Sequence, residues 1–300
     1  MSWKNLKVFA IVTLLVMDIV FAVCVIERKV SVLYYKDSLI DSALTVFAES
    51  DLNVDPSFLK KRKLHPAVYL GTPDTAMRKH LTRTMQEKGF SSEEDVGGIR
   101  FSGENGEFFL GDDLTFSYLA DAESRSPSAM LKEGFWIAVS DEESLVSATE
   151  TVKTFLGDYG LLTDSFSKYR YEIICERIYR LGDQTVLRCI QYLDGMPLHN
   201  GFSLYLDGGA VVSADGTFAL YSPNEKKSAD NIGVMNVLFE EKSYIDTLTQ
   251  DLDFTLSSIS YSYGLYFDAD GTFYLIPLCE VTYTNGEKRT YNFVSGKLYS

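Results

Sequence analysis

Residues 189–218 read CIQYLDGMPLHNGFSLYLDGGAVVSADGTF. Apolar and polar side chains alternate within its short runs, and the runs are divided at Asp194-Gly195 and at Asp207-Gly208-Gly209. A period of two marks a half-buried strand, and Asp-Gly pairs supply the positive-φ residues that a tight hairpin requires. This stretch is therefore an antiparallel meander. Its first run completes the strand TVLRCIQYL, and one more strand, YEIICERIYR, precedes that, with Gly182-Asp183 between them.

Working outward, Ser140 and Glu143 form a capping box, and Leu145, Val146, Thr149, Val152 and Leu156 follow at helical spacing as far as Gly157. Downstream, residues 229–241 place Ile232, Met235 and Leu238 on one helical face. SISYSYGLYFD, TFYLIPLCEVTY and KRTYNFVSG then read as strands with an Asn285-Gly286 hairpin. A helix followed by an antiparallel run occurs twice. Pro197 precedes Gly216 by nineteen residues, and Pro277 precedes Gly296 by the same number. The spacing predicts a duplicated unit over 140–300, with halves at about 140–222 and 223–300 and Pro197 equivalent to Pro277.

Residues 30–139 read as a separate α+β unit. KDSLIDSALTVFAES at 36–50 has the spacing of a helix with one buried face, and a second helix runs from Thr72, with Pro73 in its first turn, to Gly89. KKRK at 60–63 reads as a solvated turn. IRFSGENGEFFLG is a hairpin, and TFSYLA and FWIAV are further strands. The fold class expected for the whole is α+β, with helix-plus-antiparallel-sheet units following an N-terminal membrane helix.

That membrane helix is read from residues 8–26, VFAIVTLLVMDIVFAVCVI, which carry one charge in nineteen residues. At ~1.5 Å per residue the segment matches a hydrocarbon layer of ~30 Å. It runs into Glu27, Arg28 and Lys29 rather than a small-residue cleavage site, so an uncleaved single-pass anchor is expected. Residues 1–7 form a cytoplasmic tail, and the chain after the span lies outside the cell membrane. Asp18 falls near mid-bilayer, where a carboxylate costs ~2.5–3.5 kcal/mol to insert, and a polar contact with another membrane helix would offset that cost.

The 300 residues carry a net charge of −14. Such a chain is repelled by polyphosphate, so nucleic acid is not expected as a partner. His65, His80 and His199 lie in different elements without metal-type spacing, and no P-loop or G-x-S-x-G is present. D-A-D-G at 268–271 reads as a β-turn rather than a calcium loop. No catalytic residue, metal or cofactor is expected. Cys24, Cys175, Cys189 and Cys279 contain no C-x-x-C pair. A three-residue turn at 181–183 would place Cys175 opposite Cys189 and permit a cross-strand disulfide. Two buried free thiols are the favoured reading, since one residue of slip separates the alternatives.

The opening MSWKNLKVFAIVTLLVMDIVFA, through Trp3, Lys4, Lys7 and Asp18, resembles the start of the YycI family. The stretch around Gln191, Gly195, Pro197 and Asn200 resembles the strand pair of YycH and YycI ectodomains, and Pro277 lies in a strand similar to their late proline strand. The same pattern is similar to PepSY-type modules. The resemblance implies a non-enzymatic, single-pass regulator of a cell-wall-related two-component system, with a WalK-like membrane sensor histidine kinase and a YycH-like protein as partners. The other reading is an anchored PepSY-like module that inhibits a peptidase or binds a cell-wall ligand. A wall hydrolase would need two carboxylates within about 10 Å of each other in a cleft.

Overall fold

A computed structural model describes residues 17–22, 25, 33–61, 63–72, 75–95, 97–162, 169–248, 254–268 and 270–299. The helices are α1 (Asp37–Ala48), α2 (Pro56–Lys60), α3 (Thr75–Glu87), α4 (Pro127–Met130), α5 (Glu142–Asp158) and α6 (Val234–Ile245). The strands up to the middle of the chain are β1 (Leu52–Asn53), β2 (Val68–Gly71), β3 (Ser91–Asp95), β4 (Gly98–Gly103), β5 (Gly106–Gly111), β6 (Thr115–Leu119) and β7 (Ile137–Val139). Then follow β8 (Glu172–Leu181), β9 (Gln184–Leu193), β10 (Met196–Pro197), β11 (Phe202–Asp207), β12 (Ala210–Thr217) and β13 (Glu225–Lys227). The last are β14 (Phe254–Phe267), β15 (Phe273–Tyr283) and β16 (Lys288–Asn292). The fold is α+β, a mixture of helices and largely antiparallel sheet.

The chain divides into two compact units. The first takes its described residues from 1–66, 229–260 and 279–300, the second from 67–228 and 261–278. In the first unit α1 buries Ile40, Ala43 and Phe47 along one stripe, and Phe47 meets Phe239 of α6 at 4.9 Å. The short α2 starts on Pro56, with the Asp55 carboxylate accepting from the Ser57 N–H. β1 pairs in parallel with the start of β14 through Leu52 and Phe254.

In the second unit a ten-stranded sheet runs β3-β4-β5-β6-β12-β11-β9-β8-β7, with β10 against β9. Its core joins Leu81 and Met85 of α3 and Val152, Phe155 and Leu156 of α5 to inward residues of the sheet, including Phe101, Phe108, Phe116, Phe202 and Leu204. The boundary expected near 139–140 lies inside this unit, because β6 pairs with β12 from Thr115↔Thr217 to Leu119↔Ser213. The backbone groups of strands from either side of that boundary satisfy one another, and one core lies beneath both.

The expected helices at 36–50 and 72–89 and the 98–111 hairpin are present, with a two-residue loop at Glu104-Asn105. α5 is capped by Asp141 rather than Ser140: the carboxylate accepts from the Ser144 N–H at 2.8 Å and leaves Glu142 and Glu143 in the first turn. α6 begins at Val234 rather than near Ala229, because Asn231 donates to the carbonyls of Pro66 and Ala229, and Gly233 enters the helix at φ 78°. In the 60–63 run, Lys63 lies over the Tyr35 ring at 4.3 Å.

Duplication is not shown. Pro197 is half-buried in the two-residue β10, against Tyr192, whereas Pro277 is buried in the interior of the eleven-residue β15. Gly216 belongs to β12, and Gly296 closes a turn after β16. Equal spacing here joins unlike positions. Of the expected membrane span, only 17–22 and 25 are described, and they are helical with Asp18 exposed. Trp3, Lys4 and Lys7 lie outside the described residues. Among the described residues no helix is long and apolar enough to cross a membrane.

Candidate functional site

Asp194 and Gly195 form the turn between β9 and β10, with φ of 49° and 76°. Positive φ at both central positions suits a two-residue turn that follows the strand twist, so Gly195 has a conformational role. The Asp194 carboxylate accepts from the Tyr69 hydroxyl and from Lys226 Nζ, the latter at 2.6 Å. These two hydrogen bonds hold it below the usual carboxylate range. Lys226 Nζ also lies 5.1 Å from the centre of the Tyr69 ring, which packs edge-on against Tyr169 and Tyr263.

Gln191 is buried, and its amide bonds to the backbone of Ala219. It stands in for a strand partner at the exit of β12. Beside it a cavity of about 390 Å³ is lined by Leu161, Tyr171, Ile173, Phe218 and Leu220, with Lys153, Arg170 and Glu172 as its charged groups. Since the Gln191 amide is already engaged by Ala219, its polar atoms serve the fold. Pro197 continues from the turn into β10, and Asn200 is exposed in the bend before β11. The structure thus brings Gln191, Gly195, Pro197 and Asn200 into one corner of the second unit. Pro277 sits apart from them in sequence, in β15.

The first unit holds a polar cluster that the sequence reading missed. Glu241 is fully buried; it accepts from the Tyr283 hydroxyl, and Arg289 Nη1 lies 3.5 Å from the same oxygen. Arg289 also pairs with Glu287 and stacks 3.5 Å from the centre of the Tyr244 ring. Burial and the Glu241 charge push the Tyr283 phenol far up. A signal existed: Val234, Leu238, Glu241 and Ile245 share one helical stripe, so the acid occupies an apolar position. The adjoining cavity, about 830 Å³, is lined by Tyr244, Tyr291 and Tyr299 with Lys288, Arg289 and Lys297.

A third feature lies on the free edge of the ten-stranded sheet. β7 is its terminal strand, paired to β8 on one side. Phe135 is 95% exposed and Ile137 71%. Trp136 between them donates to the Met130 carbonyl, which anchors the segment. At the other end of the sheet, β3 is a fully exposed SSEED strand. One edge is thus charged and the other apolar, and an apolar edge offers unpaired backbone groups to an added strand.

Among the described residues no group of three or more His, Cys, Asp or Glu side chains is placed to hold a metal ion. His199 donates its backbone N–H to Tyr263, and His80 lies on α3 near Arg83.

No family model matches the chain, and no curated protein matches it. Among solved structures, an uncharacterized protein from Eubacterium rectale ATCC 33656 is similar at 13% identity and TM-score 0.42, over 79% of this chain and 86% of that one. The YpeB C-terminal domain of Bacillus megaterium is similar at 8% identity and TM-score 0.31, over 76% of this chain and 96% of that one. Likenesses at these scores carry no argument about what the chain does.

Proposed function

We propose that this chain is a non-enzymatic, membrane-anchored extracytoplasmic regulator of the YycI/YycH type. In this reading it biases a cell-wall-related sensor histidine kinase through transmembrane and ectodomain contacts, with a YycH-like protein as a further partner. The observation that carries the reading is the apolar edge at β7, where Phe135 and Ile137 stand exposed and, among the described residues, β7 pairs with β8 on one side only. Single exposed apolar residues are ordinary, but two of them flanking an anchored Trp on a sheet edge suit a protein partner. Asp18 supplies the membrane half of the contact. A regulator shifts an equilibrium only by its differential affinity for the two states, and ~1.4 kcal/mol changes the ratio about tenfold. Interhelical polar contacts of ~0.6–2 kcal/mol are of that size and reversible.

The test replaces Asp18 with Leu, and separately Phe135 and Ile137 with Ser, in the full-length chain. Association with a WalK-like sensor histidine kinase and output from that kinase's regulon are then measured. Loss of either readout in one variant supports the reading. Unchanged association and output in both variants would remove it. A second reading, an anchored PepSY-like module binding a cell-wall ligand or inhibiting a peptidase, is favoured by the cavity lined by Lys288, Arg289 and Lys297 among three tyrosines. Saturable binding of anionic wall fragments, abolished by Lys297→Glu, would move the conclusion there.

A further inference from the structure

The β8–β9 hairpin turns through two residues, Gly182 and Asp183, so Leu181 pairs with Gln184 and the register runs unbroken to Arg177↔Arg188. Continued unbroken, that register would set Glu176 opposite Cys189 and leave the two cysteines one residue out of step. Instead a bulge absorbs Glu176, and beyond it Cys175 faces Cys189 directly. The Glu176 carboxylate accepts from the Tyr192 hydroxyl at 2.5 Å, which holds the bulged residue in place. The one-residue slip is built into the strand.

The kind of pair is also determined. The Cys175 N–H donates to Thr149 Oγ1 of α5 at 3.0 Å, so it is not exchanged with Cys189. The Cys189 carbonyl points the other way, toward β11, where a Cβ on Gly201 would meet it at 2.2 Å. The cysteines thus form a non-hydrogen-bonded pair, for which antiparallel geometry sets the Cα atoms about 4.5 Å apart, inside the range a disulfide spans. Both side chains lie on the buried face of the sheet, in one core with Ile173, Leu187 and Val152. The Cys175 thiol donates to the Arg177 carbonyl at 3.5 Å. The neighbouring Cys189 thiol holds Cys175 below the usual thiol range, while Cys175 and burial push Cys189 up.

We propose that Cys175 and Cys189, which stand in the structure as free thiols, are a covalent modification site, oxidised to a cross-strand disulfide by a disulfide-bearing reagent or oxidoreductase as the hairpin forms. The Cys175 thiolate attacks the external disulfide and expels one thiolate, giving a mixed disulfide at Cys175. The Cys189 thiolate then attacks the Cys175 sulfur and expels the second. Two protein thiols lose two protons and two electrons, and the external disulfide becomes two thiols. Because both sulfurs are buried once α5 covers the sheet, the exchange belongs to the folding stage and the finished bond resists external reductant. The inference is independent of any kinase partner.

The test refolds the full-length chain in detergent with mixed oxidised and reduced glutathione, alkylates free thiols under denaturing conditions, and maps the peptides by mass spectrometry. A cross-linked pair of peptides holding Cys175 and Cys189, with label on Cys24 and Cys279, is expected. The oxidised chain should also melt on the order of 5 °C above the reduced one. Label on all four cysteines, or a bond that recruits Cys279 or Cys24 in the wild-type chain, would overturn the proposal. Because the wild-type protein is read directly, the result does not depend on whether Cys175→Ser or Cys189→Ser folds.

Discussion

The Gln191 side chain and the Ala219 backbone form a two-way clamp: Nε2 donates to the Ala219 carbonyl at 2.9 Å, and Oε1 accepts from its N–H at 2.6 Å. Twenty-eight residues apart in sequence, they join β9 to the chain leaving β12, where Ala219 itself lies outside the strands. The amide is the one side chain that offers a donor and an acceptor in the arrangement of a peptide group.

Replacing Gln191 with Leu keeps the bulk and strands two buried backbone groups. Each unsatisfied group costs ~1–3 kcal/mol, so a loss of about 2–4 kcal/mol is expected in urea unfolding, with little change in m-value. A change below about 0.5 kcal/mol would show that the clamp is not under tension to hold β12's exit in place.

Asp194 carries a pH prediction. Its folded pKa is depressed by the Lys226 and Tyr69 hydrogen bonds. Its contribution is therefore complete above the unfolded value of ~3.9 and is lost as pH falls through the lower folded value. Asp194→Asn preserves the turn, since Asn tolerates positive φ. The variant should be less stable than wild type at pH 7, and the difference should shrink toward pH 3. The effect is modest because the carboxylate is about half exposed. A constant difference across that range would mean the charge is irrelevant.

The buried cluster around Glu241 predicts an asymmetry. Glu241→Ala leaves Arg289, only 11% exposed, facing an empty site, and should cost on the order of 3 kcal/mol or more in chemical denaturation. Glu241→Gln retains an acceptor for Tyr283 and should cost clearly less. Equal losses would assign the effect to packing rather than to the ion pair.

At the sheet edge the opposite outcome is expected. Phe135→Ser and Ile137→Ser remove side chains that are mostly solvated, so unfolding free energy should stay within about 0.5 kcal/mol of wild type. A larger loss would mean that these residues are buried in the chain's own fold and are not available to a partner.

The anchor has a separate check. The full-length protein is expected to sediment with membranes and to keep its original N-terminus. A mature N-terminus between residues 20 and 35 would make the segment a cleaved leader and remove Asp18 from the mechanism.

Much of the local structure was legible in the residues themselves. Alternation and glycine-containing turn pairs located β4, β5, β8, β9, β11 and β12, and helical spacing located α1, α3 and α5, because a period of two or 3.6 is written in neighbouring side chains. Gly195 announced its turn for the same reason. The Asp141 cap was missed by one residue, since Ser140 and Asp141 are both competent caps and only the backbone decides which one enters the helix.

The residues read alone establish the class, α+β, together with most elements and the negative charge of the whole. Tertiary structure alone decided that β6 pairs with β12, that the first unit gathers three distant segments, that Pro197 and Pro277 are not equivalent, and that Glu176 bulges to bring Cys175 opposite Cys189. Each of these depends on which distant backbone satisfies a strand's hydrogen bonds. Edge groups are chemically the same on every strand, so the choice is made by the shared core they cover and leaves no local mark in the sequence.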